Sequence, residues 1–147
     1  MEQQRVNIES TLPEAYKAMR SLSASLSKTG LTPVQKELIK IRASQINACA
    51  FCLDMHTKEA LNVGETQQRI FLLNAWRETN LFTDEEKAIL ALTEEVTLIS
   101  DQGVTEKTYK EAEKFFSAEV IAQIIMSIVL INGWNRIAVS THLPIGK

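Results

Sequence analysis

The feature that most constrains this chain is its punctuation, which is helical from end to end. Thr32 followed by Pro33 and Gln35, and Thr83 followed by Asp84, Glu85 and Glu86, both read as capping boxes. In each, the threonine hydroxyl and the side chain three residues later satisfy backbone N–H groups that the first turn leaves unpaired. The second box also sets three carboxylates at the positive end of the helix dipole. No segment shows the sustained period-two alternation of a half-buried strand. The expected fold is all-α, a single-domain bundle of about seven helices over residues 1–147.

The same signals set boundaries. Ser10 or Thr11 caps a first helix with Pro13 near its start, running through Tyr16, Met19 and Leu22 to a stop near Gly30. A second runs from Thr32 to about Gln45, and Asn47 caps a third that ends at Val63 with Gly64 just beyond. Thr66 opens a fourth through Ile70, Leu73 and Trp76. The fifth, from Thr83, places Ile89, Leu92, Val96 and Ile99 on one buried face. Loops at Gly103 and Ser117 bound a sixth helix, and a long seventh runs from Ala118 to about Val139. Its apolar stretch, Val120 to Ile131, is interrupted by Gln123 and Ser127 and is too short to cross a bilayer. It reads as a helix surrounded by protein, inside the bundle or at a subunit contact.

A net charge of −2 offers no electrostatic case for nucleic acid or an anionic membrane. The polar opening MEQQRVNIES carries no secretory or transit signal, so a cytoplasmic location is expected. Two cysteines are too few for a secreted disulfide framework.

Those two cysteines, Cys49 and Cys52, fall within eight positions of His56, one of two histidines. On a helix the three lie within about 60° of one another. A helix start stabilises a thiolate, and a histidine one turn along can take its proton or hold its charge. Exposure at the helix start favours Cys49 as the nucleophile; adjacency to His56 favours Cys52. Glu37 borders the apolar stripe Val34, Leu38, Ile41 and Gln45, with Lys36 and Lys40 on the other side. Partial burial there would raise its pKa and make its proton available near neutral pH. Were the second and third helices to pack as a hairpin, Glu37 could face His56. Glu59 is the competing acid, and Asp54 points away from the thiols into solvent.

Duller readings exist for each. Zinc could take Cys49, Cys52, His56 and His142, but the usual second paired ligand site is missing, so no metal is expected. A structural disulfide within one turn would constrain almost nothing. Two inert core cysteines are the plainest alternative. His142 reads as an exposed loop residue, and Trp76 and Trp134 as core or interface aromatics.

The pattern Glu37-x11-Cys49-x2-Cys52-x3-His56 resembles the signature of the alkylhydroperoxidase D-like proteins of the carboxymuconolactone decarboxylase superfamily. The flanks ELIKIRASQINACAFCLDMHTKEAL, GETQQRIFLLNAWRET and INGWNRIAVSTHLP extend the likeness over almost the whole chain. The resemblance implies reduction of organic hydroperoxides through a Cys49–Cys52 disulfide. Cys52 would be the attacking thiolate, Cys49 the resolving thiol, and His56 with Glu37 the proton relay. It implies an unidentified dithiol or protein reductant, no cofactor, and a homo-oligomer, trimer or hexamer. Phe51 stands where the best-known peroxidases of the group carry a further histidine, which shortens the relay. The cysteine pair itself disfavours the lactone decarboxylase branch. Other classes are a thiol–disulfide adaptor that never meets peroxide, and a non-catalytic oligomeric binding protein.

Overall fold

In the computed structural model, which describes residues 3–146, every regular element is helical. In chain order they are α1 (Ile8–Thr11), α2 (Pro13–Ser25), α3 (Pro33–Ile46), α4 (Ala50–Asn62), α5 (Gln67–Phe71), a 3₁₀ segment (Leu73–Glu78), α6 (Asp84–Thr97), α7 (Ile99–Gln102), α8 (Glu106–Glu113) and α9 (Ala118–Thr141). Both capping boxes form: Thr32 and Thr83 each accept from, and receive, the residue three positions on. Such caps are worth roughly 1 kcal/mol each.

The surplus over seven helices comes from three breaks. Asn7, not Ser10 or Thr11, caps a single turn, and Leu12 then leaves the helical region before Pro13. A proline ring disfavours α geometry in the residue before it, so the first helix becomes two. The helix opened by Thr66 gives way after Phe71 to the 3₁₀ segment, where Ala75 is itself non-helical. The third break is at Leu98, which separates α6 from α7 and turns Ile99 outward, 57% exposed rather than on the buried face. The expected stop near Gly64 does occur: α4 ends at Val63, and Gly64 has φ +101°, a conformation relaxed only for glycine.

α3 is the hub, packed against α4, α6 and α9. One of its faces sets Ile39 and Ala43 into a core with Ile89 and Leu92 of α6 and Ile121, Ile124 and Ile128 of α9. The other sets Leu38 and Ile41 against Ala60, Leu73, Trp76 and Leu90. The Val120–Ile131 stretch is therefore part of a 24-residue helix, which by length and composition alone is apolar enough to cross a bilayer. Its buried face instead carries this core, and it also buries Asn135 completely. By contrast α2 buries none of its thirteen residues. It lies over α9 as an amphipathic cover, with Tyr16, Met19 and Leu22 half-buried along its inner side.

Candidate active site

The site is built at the corner between α3 and α4. Asn47 does not cap α4; its side-chain amide donates to Asn132 and Asn135 of α9, each at 2.9 Å. Asn135 in turn donates to Ser44 Oγ at 3.0 Å, and Asn132 to Thr97 Oγ1 at 3.0 Å. With Asn47 engaged by α9, the chain turns through Ala48 at φ +51° and the cap passes to Cys49. A non-glycine residue in that left-handed region costs about 1–3 kcal/mol, held here by the surrounding amide network. Cys49 Sγ accepts the backbone N–H of Cys52 at 3.3 Å. The two sulfurs form a disulfide, with Cα atoms 5.3 Å apart.

Both cysteines are buried, Cys52 only 2% exposed, and it is the cavity that separates them. Cys49 is fully enclosed, contrary to its expected exposure at the helix start, and packs with Ala138, Phe51 and Leu143. Cys52 lies on the wall of a cavity of about 750 Å³, as does His56 one turn along α4. α2 supplies Tyr16 and Arg20 to that cavity, α3 Lys36 and Lys40, and α9 Leu130, Ile131 and Trp134. Tyr16 and Trp134 meet edge to face, with centroids 5.2 Å apart. Phe51, at the position of the missing relay histidine, is part of the lining.

Glu37 does face His56. Its Oε2 is 3.0 Å from His56 Nδ1, and both side chains are more than nine-tenths buried. Lys40 does not project to the other side: its Nζ donates to Glu37 Oε1 at 2.6 Å. This reverses the expected pKa shift. Burial of Glu37 favours its neutral form, but hydrogen bonds from His56 and Lys40 outweigh it and hold the carboxyl below its ordinary value. An ionised Glu37 accepts from Nδ1–H, which leaves Nε2 as the imidazole's free nitrogen. Glu59, half exposed, approaches the same Nδ1 at 3.3 Å. Asp54 is partly buried and paired with Lys58 at 2.9 Å rather than simply solvated.

Among the described residues, the donors that converge within 4.8 Å are Glu37, His56 and Glu59. Neither cysteine nor His142, which ends α9 at φ +52°, belongs to that group. The zinc set considered from the sequence is thus not brought together, and the Lys40 ammonium already occupies one oxygen of Glu37. Trp76 is a core residue whose Nε1 donates to Glu94 at 2.8 Å, whereas Trp134 lines the cavity. Lys40, Tyr16 and the Asn47–Asn132–Asn135 network went unread in the sequence. Lys40 alone had a local signal, its i,i+3 spacing from Glu37.

Fold and site together define an all-helical Cys-x-x-Cys protein with a buried Glu–His pair beside a cavity. The carboxymuconolactone decarboxylase family model matches residues 13–95, more than half of the chain. The chain belongs to that family, in its alkylhydroperoxidase D-like branch. It is 40% identical over 137 residues to the uncharacterized protein YdfG of Bacillus subtilis, covering 93% of each chain. It superposes with TM-score 0.95 and 39% identity on an Agrobacterium tumefaciens protein of unknown function, described as a candidate antioxidant defence protein AhpD, over 99% of both. The debrominase Bmp8 shares the fold at TM-score 0.79 and 16% identity, over 91% of this chain and 72% of Bmp8. At that identity Bmp8 shares the fold alone, and chemistry must be argued from the site.

Proposed function

We propose that the protein is a thiol peroxidase that reduces organic hydroperoxides through the Cys49–Cys52 pair. The observation that carries this reading is the division between the cysteines: Cys52 lines the cavity beside His56, while Cys49 lies behind it within disulfide reach. In the reduced protein His56, anchored at Nδ1 by ionised Glu37, takes the Cys52 thiol proton at Nε2. The thiolate attacks the terminal peroxide oxygen, the O–O bond breaks, and the leaving alkoxide receives the proton from His56. The products are an alcohol and a Cys52 sulfenic acid. The Cys49 thiol then displaces water from that sulfur and forms the disulfide, which limits further oxidation. A dithiol reductant returns both thiols by exchange.

The resemblance of the Agrobacterium protein, with its antioxidant description, supports this reading. So does the depressed Glu37 pKa, which makes the imidazole rather than the carboxyl the proton carrier. Reduced protein given one equivalent of tert-butyl hydroperoxide is expected to lose two titratable thiols, and Cys52→Ser to lose none. Two thiols that survive the hydroperoxide but are oxidised by a disulfide donor would instead indicate a thiol–disulfide adaptor.

A further inference from the structure

The cavity is charged in a way the chain as a whole is not. Net charge is −2, yet the ionised side chains lining the cavity, His56 apart, are three cations, Arg20, Lys36 and Lys40, against one carboxylate, Glu9. Arg20 and Glu9 face each other at 3.5 Å on exposed surface and offset one another. Lys36 differs: its Nζ donates to the Ser27 carbonyl at 2.6 Å, a neutral acceptor, so its charge is not cancelled there. Lys40 is paired with the ionised Glu37, which offsets its charge, but it keeps two further N–H donors, so Lys36 is the lining cation whose charge no carboxylate cancels. The two lysines are one turn apart on the same face of α3. Across from this cationic edge the wall is hydrocarbon and aromatic, formed by Leu130, Ile131, Trp134 and Ala138 of α9 and Phe51 of α4.

A cavity of about 750 Å³ is within the range that encloses a drug-sized ligand and far larger than hydrogen peroxide needs. We propose that it takes amphipathic anions, specifically hydroperoxides of medium- or long-chain carboxylic acids. The carboxylate sits at Lys36 and Lys40, and the hydrocarbon chain lies along the α9 wall. Both lysines are half-buried beside apolar surface, where an ion pair is screened less than in open water. The peroxide part of this inference rests on the peroxidase reading; the anion and the chain rest on the cavity's own charge and lining.

The test separates the two. The oxidised protein, without reductant, is titrated with decanoate and with 1-decanol by calorimetry, with Trp134 emission as a second readout. Decanoate is expected to bind at least ten-fold more tightly than the alcohol. That preference should fall at least three-fold in Lys36→Gln and be retained in Lys36→Arg. Equal affinities, binding of neither ligand, or a preference unmoved by Lys36→Gln would overturn the anion site and leave the peroxidase reading intact. Conversely, a clear decanoate preference in a protein whose thiols ignore hydroperoxide would keep the anion site and remove the peroxide from it.

Discussion

The α3–α4 corner and the α1–α2 cover enclose the same cavity, but they are held in place very differently. α3 buries seven of its fourteen residues, and the corner is fastened to α9 by three asparagine-donated hydrogen bonds among Ser44, Asn47, Asn132 and Asn135, with a fourth from Asn132 tying α9 to Thr97 of α6. Neither α1 nor α2 buries any residue. The peroxidase proposed here needs Glu37 beside His56 and the two sulfurs within bonding reach of each other, and the corner holds both pairs in a fixed frame. On the proposed reading a substrate enters past a wall that can yield, and the cover, which buries none of its own residues, is the part expected to do so. On that reading the reacting groups and the access route fall to parts of the fold with different packing.

The comparison breaks most visibly at Glu37. Glu37→Gln removes the charge that orients His56, and the rate of peroxide-dependent thiol loss is expected to fall about 10²-fold. Residual activity should persist because Glu59 keeps its own approach to Nδ1. The substitution also predicts a change in pH dependence. Because the folded-state pKa of Glu37 is depressed, its contribution to stability is present above its ordinary value of 4.5 and is lost as pH falls through the lower folded value. A plot of Tm against pH should therefore be flatter on its acid limb for Glu37→Gln than for the parent protein.

Asn135→Ala tests the frame without touching the cavity chemistry. It leaves Ser44, which is fully buried, and Asn47, which is half-buried, each short of a partner. The expected loss is about 1–3 kcal/mol, with Tm falling roughly 2–4 °C for each. On the cover side the effect should be smallest. A Cβ at Gly133 of α9 would meet Met19 Cε of α2 at 3.0 Å, the far end of a flexible side chain. Gly133→Ala is expected to change stability by less than about 1 kcal/mol, since helix propensity favours alanine while Met19 shifts. Hydrogen exchange should quicken in α2 and remain unchanged in α4. Equal slowing or quickening in both would show that cover and corner open as one unit.

Much of the corner was legible because its pattern is local. Cys52 and His56 lie on α4 with Cys49 as its N-cap, and their spacing alone places them on one side of it. Glu37 was legible as a candidate because it borders an apolar stripe, but the sign of its pKa shift was not. Burial could be inferred from position, whereas the opposing donors depend on Lys40 curling back one turn and on His56 arriving from another helix. The cap passed from Asn47 to Cys49 for a non-local reason, since Asn47's partners lie 85 and 88 residues away. The cavity was illegible for the same cause: Tyr16 and Trp134 meet only when α2 lies on α9. The Leu12–Pro13 break did have a local signal, the steric demand of proline on its predecessor.

The central claim, that the cavity-facing sulfur is the one peroxide oxidises, can be measured at a single atom. Reduced Cys49→Ser protein is treated with one equivalent of cumene hydroperoxide in the presence of dimedone, which traps sulfenic acids, and digested for mass spectrometry. The predicted result is a label on Cys52, with Cys49 of the Cys52→Ser variant unlabelled under the same conditions. A label on Cys49 in that variant, with Cys52 left unmodified in the first, would contradict it.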